Sequence, residues 1–212
     1  MFLLFLLLFS CSGYRFSQLE NPLSQYGIRS LSVPMFYNYS NLSEIHSDFT
    51  RETYRLLTEF SGLVLNSGYK TSSDAVLIGI IRSPEKMADT IKPMNIRLAQ
   101  GRASQAIGSQ RQNFNIPGSS DVSLYLQVIV IKKPTPEELV LLKSEMSDKI
   151  VPNSRIIFNE LLPLRISYTR EVLDKEGVQV VATQNQGIHR KTFKNLSEKA
   201  AISIRDMILY AF

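Results

Sequence analysis

The sequence predicts an α+β fold in which two helices pack on one face of a mostly antiparallel sheet of about four to six strands. Three observations support this prediction: a run near the N-terminus that alternates apolar residues with serine, a seven-residue run that is apolar throughout, and a C-terminal segment whose apolar residues recur every three or four positions. The elements follow in the order strand, helix, several strands, helix, which is typical of α+β domains.

The composition of the 212 residues is that of a globular protein, with 44% hydrophobic and 20% charged side chains. This composition excludes a disordered, collagen-like or coiled-coil chain. The net charge of +5 is weaker than the basic stripes of many nucleic-acid binders, so we expect no nucleic-acid partner. After the first nine residues, no apolar run approaches the length of a membrane-spanning helix.

The N-terminus has the pattern of a lipoprotein signal. Met1 to Phe9 are all apolar, and Leu8 to Cys11 resemble a bacterial lipobox, in which the cysteine becomes the lipidated first residue. We therefore predict a signal peptide over residues 1–10 and a single domain over 11–212, with Cys11 as the lipid anchor. Because Cys11 is the only cysteine, no intrachain disulfide competes for it, although an incidental free thiol remains the alternative. Ser12 is not the aspartate of an inner-membrane retention signal, which favours the outer membrane.

The first half of the chain predicts two strands and a helix. The run from Ile28 to Tyr37 alternates as a half-buried strand that is an edge or ends at Pro34. A helix over 43–61 follows, with Asn41 as its N-cap and Glu44 completing a capping box. Ala75 to Ile81 is apolar on both faces and predicts a central strand.

The stretch from Thr90 to Ser120 contains no acid and predicts a long mobile loop or an extended hairpin. It carries four cations, Lys92, Arg97, Arg102 and Arg111. Such cations either form a solvated surface or contact phosphate groups, with which arginine makes bidentate hydrogen bonds.

The second half predicts more strands and two helices. Val122 to Ile131 is a strand, and Thr135 and Pro136 open a helix that ends near Pro152. An extended segment over 156–173 is interrupted at Pro163, and a hairpin turn over 174–177 leads to a strand over 178–183. Asn195 caps a closing helix that extends to Ala211.

No catalytic or metal-binding pattern is recognisable. The two histidines, His46 and His189, have no second ligand at metal spacing, and glycine-rich phosphate loops and serine elbows are absent. We therefore predict no catalytic residues, no metal and no cofactor, while a hydrolase using a distant His189 stays open. A second basic cluster, Lys191 and Lys194 beside His189 and Arg190, precedes the predicted closing helix.

The chain resembles the LptE family of lipopolysaccharide-assembly lipoproteins. The resemblance rests on short segments that follow in order: Cys11 to Phe16 (CSGYRF), Ser32 to Asn38 (SVPMFYN), Ser73 to Gly79 (SDAVLIG) and the closing helix around Ala200 to Leu209. The first three are similar to the family's Cys-Gly-Tyr opening, its Val-Pro-x-Phe-x-Asn strand and its Ala-Asp-x-Val-Leu-x-Gly strand.

The resemblance implies a non-enzymatic outer-membrane lipoprotein on the periplasmic side, which plugs and helps assemble the β-barrel protein LptD and assists lipopolysaccharide delivery to the cell surface. By position, it implies that Arg97 or Arg102 in the loop, and Lys191 or Lys194 near the closing helix, contact lipopolysaccharide. The alternatives are an accessory lipoprotein of another envelope transport or assembly complex, and a lipid-anchored hydrolase.

Overall fold

The computed structural model describes residues 19–98, 115–143, 155–171 and 178–210. Cys11, the predicted signal peptide and the lipobox therefore lie outside the described residues. So do Arg102 and Arg111 of the predicted loop, the turn predicted over 174–177, and the predicted helix end near Pro152.

The described residues form nine strands, three α-helices and two short 3-10 turns. In chain order the elements are β1 (Leu19–Glu20), a 3-10 turn (Pro22–Tyr26), β2 (Ser30–Val33), β3 (Tyr37–Tyr39), α1 (Ile45–Leu57), β4 (Phe60–Ser61), β5 (Val64–Ser67), β6 (Ala75–Arg82), a 3-10 turn (Met87–Asp89), β7 (Ile91–Leu98), β8 (Asn115–Lys132), α2 (Pro136–Lys143), β9 (Ile156–Thr169) and α3 (Val178–Tyr210).

Seven strands form one mixed sheet in the order β5-β2-β6-β8-β7, with β3 beside β6 and β9 beside β8. The pairs among β2, β3, β5 and β6 are parallel, and all pairs of β8 are antiparallel. A separate two-stranded parallel pair joins β1 to β4. The predicted α+β class is confirmed, while the sheet has more strands than predicted and is half parallel.

Helices α1 and α3 lie together on one face of the sheet, as predicted. The core between them is built from alternate residues of the central strands and from the apolar stripes of both helices. Its fully buried members include Leu31, Leu77, Ile81, Leu124 and Leu126 of the sheet, and Phe49, Leu57, Ala200, Ile204 and Ile208 of the helices.

The opposite face of β6 carries a second, smaller apolar cluster. Val76, Ile78 and Ile80 lie there with Ile129 and Ile131 of β8, and Leu139 of α2 packs against them. Because β6 is buried on both faces, the prediction of a central strand at this position is confirmed.

The first helix is shorter than predicted, and its predicted cap is wrong. Helix α1 begins at Ile45, after Glu44 in a left-handed conformation with φ of 62°, and no side chain caps it. Asn41 instead exchanges hydrogen bonds with Ser83 and donates its amide to the Met87 carbonyl. The helix ends at Leu57, and three residues later Phe60 pairs in parallel with Leu19.

The closing helix is much longer than predicted. Residues 178–183, predicted as a strand, form the first turns of α3, which continues without a break through Asn195. Asn195 is exposed in the middle of this helix, so its predicted role as an N-cap is also wrong. The neighbouring Ser197 is buried, and its hydroxyl donates to the Lys194 carbonyl at 2.7 Å, a bond that lets serine sit inside a helix.

Two other predicted segments have opposite outcomes. Strand β9 continues through Pro163, which pairs with Tyr125, so the predicted interruption is wrong. Between Thr90 and Ser120, strand β7 pairs antiparallel with the first part of β8, which agrees with the extended-hairpin alternative.

The predicted start of the helix after Thr135 is confirmed by its capping geometry. The Glu138 amide donates to Thr135 Oγ1 at 3.2 Å, and the Thr135 amide donates to Glu138 Oε2 at 2.7 Å, a reciprocal capping box. Among the described residues, no helix is both long enough and apolar enough to cross a membrane.

Candidate functional site

The structure places the predicted lipopolysaccharide-contacting residues on two elements. Arg97 lies in β7, where its backbone pairs with Ile116, and its side chain is outside the described part of the chain. Lys191 and Lys194 lie in the middle of α3, and both are exposed. Because they are three residues apart, they are neighbours on the helix surface. Lys194 pairs with Glu198 at 3.8 Å.

His189 faces away from these lysines and towards the sheet. Its ring makes edge contacts with Phe193, at 4.4 Å between centroids, and with Tyr168 of β9, at 5.9 Å. The basic cluster expected from the sequence is therefore divided by the helix, with the lysines on the solvent side and His189 beside the sheet.

A pocket of about 340 Å³ lies beside His189, between the end of β9 and the first half of α3. It is lined by the apolar residues Ile91 and Ala182, the polar residues Tyr168, Asn185 and Gln186, and the basic residues Arg170, His189 and Arg190. Sequence reasoning missed this pocket because it assigned residues 178–183 to a strand.

Backbone hydrogen bonds fix the strand end that carries Arg170. The Arg170 amide donates to the Gly118 carbonyl at 2.9 Å, which continues the ladder between β8 and β9. Glu171, the next residue, is held through its backbone by the Asn185 side chain of α3. This side chain accepts from the Glu171 amide at 2.9 Å and donates to the Glu171 carbonyl at 3.0 Å. This pair of bonds joins the strand end to the helix and holds the two walls of the pocket together.

The guanidinium of Arg170 is held over Tyr168. Its Cζ lies 5.6 Å from the centre of the tyrosine ring, and Nη2 donates to the tyrosine hydroxyl at 3.2 Å. Its Nε is buried and has no hydrogen-bond partner among the described residues. An arginine N–H that is buried without an acceptor is costly, unless a ligand or water supplies one.

The electrostatic environment of the pocket is positive. Burial lowers the pKa of His189, and the nearby positive charge of Arg170 lowers this pKa further. His189 is thus neutral at pH 7 and can donate one ring N–H. None of the described residues that line the pocket is acidic.

A second recess, of about 490 Å³, lies on the opposite face of the sheet. Its lining includes Lys92 and Arg165 but also Asp89 and Asp121, and Lys92 is paired in register with Asp121. Because both charge signs are present, this recess has no preference for anions. In the described ranges, no three His, Cys, Asp or Glu side chains are grouped to hold a metal ion.

The two internal segments that carry the family resemblance lie side by side. Residues 32–38 include the end of β2 and the start of β3, and both strands pair with β6, which begins within the segment 73–79. Ser32 and Ser73 share a buried hydrogen bond of 2.7 Å between their hydroxyls, and the ring of Phe36 packs directly on Gly79. These residues therefore position the sheet, and none of them lines the basic pocket.

The fold defines the protein as an α+β domain with a mixed sheet between helices. Comparisons with known proteins assign it to no family within this class. No family model and no curated protein matches the chain. Among solved structures, a candidate lipoprotein from Caulobacter crescentus CB15 shares 6% identity over 82% of this chain and 88% of its own, with a TM-score of 0.41.

Two further solved structures are similar at the same level. Rare lipoprotein B from Shewanella oneidensis shares 11% identity over 86% of this chain and 92% of its own, with a TM-score of 0.38. A minor lipoprotein from Acinetobacter baumannii shares 11% identity over 87% and 92%, with a TM-score of 0.35. At these identities and TM-scores, the similarities assign neither a family nor a function.

Proposed function

We propose that the protein is a non-enzymatic outer-membrane lipoprotein, anchored through Cys11, that plugs and helps assemble an LptD-like β-barrel and assists lipopolysaccharide delivery. The proposal rests on the resemblance stated above. It assigns the protein to the periplasmic side of the outer membrane, with the barrel and lipopolysaccharide as its partners.

The observation that carries the proposal is the contact between the two internal resemblance segments. The two segments are neighbours in the fold, because Phe36 of one packs on Gly79 of the other and Ser32 bonds Ser73. A glycine at the seventh position of the second segment is required there, because the phenylalanine of the first occupies the space of a side chain. The two segments are thus one structural unit.

The exposed surfaces of the chain agree with a plug. The lumen of an outer-membrane barrel is polar, so a plug needs a polar surface without a strong acidic charge. Strand β7 and the first residues of β8 belong to the acid-free stretch from Thr90 to Ser120, and Lys191 and Lys194 add cations on the solvent side of α3. These residues offer charge-assisted contacts to the phosphates of lipopolysaccharide.

Depletion of the protein in its own cells tests the proposal. We expect less lipopolysaccharide at the cell surface, and we expect the tagged protein to copurify with a large outer-membrane barrel. A Cys11→Ser variant should lose acylation, measured as a change in mass, and should no longer fractionate with the outer membrane.

The same experiment separates the alternatives. Normal surface lipopolysaccharide after depletion, together with copurification of a different envelope complex, would favour an accessory lipoprotein of that complex. A Cys11→Ser variant with unchanged mass and fractionation would remove the lipid anchor from the proposal.

A further inference from the structure

We propose that the pocket formed by Arg170, His189 and Arg190 is a binding site for a phosphate monoester group. This inference does not need the barrel partner, because it rests on the pocket alone. It also differs in place from the lysines of α3, which lie on the solvent side of the helix.

The strongest indication is the state of Arg170. Its Nη2 donates a hydrogen bond to the Tyr168 hydroxyl, and its Cζ lies over the Tyr168 ring. The guanidinium therefore has a defined position. The buried Nε has no acceptor among the described residues, and the Arg170 side chain lines the pocket. A guanidinium that is fixed in the wall of a pocket supplies a positive charge for an anion there.

The remaining lining supplies further donors around the same space. Arg190 follows His189 on α3, is exposed to solvent and lines the pocket. Gln186 contributes an amide, and neutral His189 contributes one ring N–H. Asn185 is occupied by the Glu171 backbone and serves to fix the wall of the pocket.

Charge balance favours a dianion over a carboxylate. Two arginines give the pocket two fixed positive charges, and a phosphate monoester carries close to two negative charges at pH 7. Arginine also matches phosphate geometry, since its fork of N–H groups bonds two oxygens at once. The volume of about 340 Å³ leaves room beyond the phosphate for part of the group that carries it, against Ile91 and Ala182.

The test uses the full chain in a neutral detergent and follows the ring signals of His189 by NMR during titration with inorganic phosphate. We expect a saturable shift of these signals, and we expect acetate at the same ionic strength to produce none. Arg170→Gln should weaken phosphate binding at least tenfold. Arg190→Gln should do the same, and because Arg190 is exposed, this variant also keeps the fold.

Lys199→Gln is the matched control, since Lys199 is an exposed cation of the same helix that does not line the pocket. Its phosphate affinity should stay within twofold of wild type. A shift that does not saturate, an equal response to acetate, or unchanged affinity in both arginine variants would overturn the proposal.

A second arm identifies the source of the phosphate. Micelles containing phosphatidic acid carry a monoester, and micelles containing phosphatidylglycerol carry only a diester. Competition by phosphatidic acid alone supports the site with a lipid headgroup as its ligand, and the absence of competition supports a soluble phosphate ester. Equal competition by both lipids, unaffected by Arg170→Gln, would show a nonspecific surface effect and overturn the proposal. Because no barrel is present in these titrations, their failure is distinct from failure of the plug hypothesis.

Discussion

The ring of Phe36 occupies the space that a side chain on Gly79 would need. A Cβ placed on Gly79 would lie 2.5 Å from both Cγ and Cε2 of the phenylalanine, closer than real carbon atoms approach. Both residues are buried, and β3, which starts at Tyr37, pairs with β6 at Ile80. The absence of a side chain at Gly79 therefore allows the chain after β2 to cross closely over the central strand.

Gly79→Ala should destabilise the protein by about 1–3 kcal/mol, because the ring must move in a filled core. For a chain of this length, each kcal/mol lowers Tm by roughly 2–4 °C. Thermal unfolding followed by circular dichroism measures the change. Gly187→Ala is the control: Gly187 is helical, with open space at its Cβ position, so this change should stabilise by about 0.5–1 kcal/mol. Equal stability of the two variants would show that the Phe36 ring can move aside without a cost in stability.

The charge of Asp74 should stabilise the junction of β2 and β6 in a pH-dependent way. Its Oδ2 accepts from the hydroxyl of Ser30 at 2.8 Å and from the amides of Ser30 and Arg29 at 3.0 and 3.1 Å. These hydrogen bonds lower the pKa of Asp74. The bond from the Ser30 hydroxyl has the largest effect, and the bond from the Arg29 amide follows it. A folded-state pKa below the unfolded one means that this stabilisation is present above pH 4 and is lost as the pH falls through the folded pKa.

Asp74→Asn keeps the size of the side chain and removes its charge. We expect it to cost about 1–2 kcal/mol at pH 7, since hydrogen bonds to a charged group are stronger than neutral ones. Urea unfolding of both proteins at pH 7 and at pH 3 measures the effect. The difference in unfolding free energy should shrink at pH 3, and a difference that stays constant with pH would contradict the role of the charge.

Ile204 of α3 should be essential for the core between the helices and the sheet. Ile204 is fully buried, so Ile204→Asp places an unpaired charge in the core, which costs several kcal/mol and should unfold the domain. Ile202→Asp, two residues earlier on the exposed side of the same helix, should remain folded. Circular dichroism and solubility separate the two, and a folded Ile204→Asp protein would contradict the described helix face.

Elements with a clear hydrophobic period were predictable from the sequence. The uniformly apolar run over 75–81 predicted a central strand, which the structure has, and Thr135 opens α2 as its position before Pro136 predicted. Local signals failed where distant residues decided the outcome. Asn41 and Asn195 both begin the same tetrapeptide, Asn-Leu-Ser-Glu, yet neither caps a helix.

The first half of α3 was not predicted as a helix, because polar residues occupy part of the helix face that packs on the sheet. Val181, Asn185, Ile188 and Thr192 recur at helical spacing, but two of these four residues are polar. Asn185 is accepted there because it binds the Glu171 backbone, and Thr192 because its hydroxyl donates to the Ile188 carbonyl at 2.8 Å. The basic pocket depends on this half of the helix, so it could not be predicted without those tertiary bonds.

Pro163 should protect the open edge of β9 from pairing with other chains. Among the described strands, β9 pairs only with β8. The Arg170 amide faces β8, so the nitrogen of Pro163, seven residues earlier in an alternating strand, faces the open edge. A proline there removes a donor from the middle of a 14-residue edge.

Pro163→Val should therefore leave the fold intact and increase self-association. Sedimentation velocity over a range of concentrations measures the change, with Pro84→Val as a control because Pro84 lies outside the strands. A monomeric Pro163→Val protein at all concentrations would show that another feature protects this edge.

Reversing Arg97 and Arg102 together to Glu should weaken lipopolysaccharide binding without unfolding the domain or releasing the barrel. Both residues belong to the acid-free stretch between Thr90 and Ser120, so the change replaces two cations by two anions against phosphate groups. Exposed charge contacts are individually worth about 1 kcal/mol or less and are screened by salt, so a single Arg→Ala change should be mild.

Binding to immobilised lipopolysaccharide at low and high salt measures this effect, and thermal unfolding checks the fold. The parallel variant reverses Lys191 and Lys194, the exposed pair on α3. If the Arg97 and Arg102 reversal binds as well as wild type at low salt while the lysine reversal does not, the loop is only a spacer. We then infer that the solvent side of α3 contacts the lipopolysaccharide phosphates, because Lys191 and Lys194 are the other cations proposed to bind them.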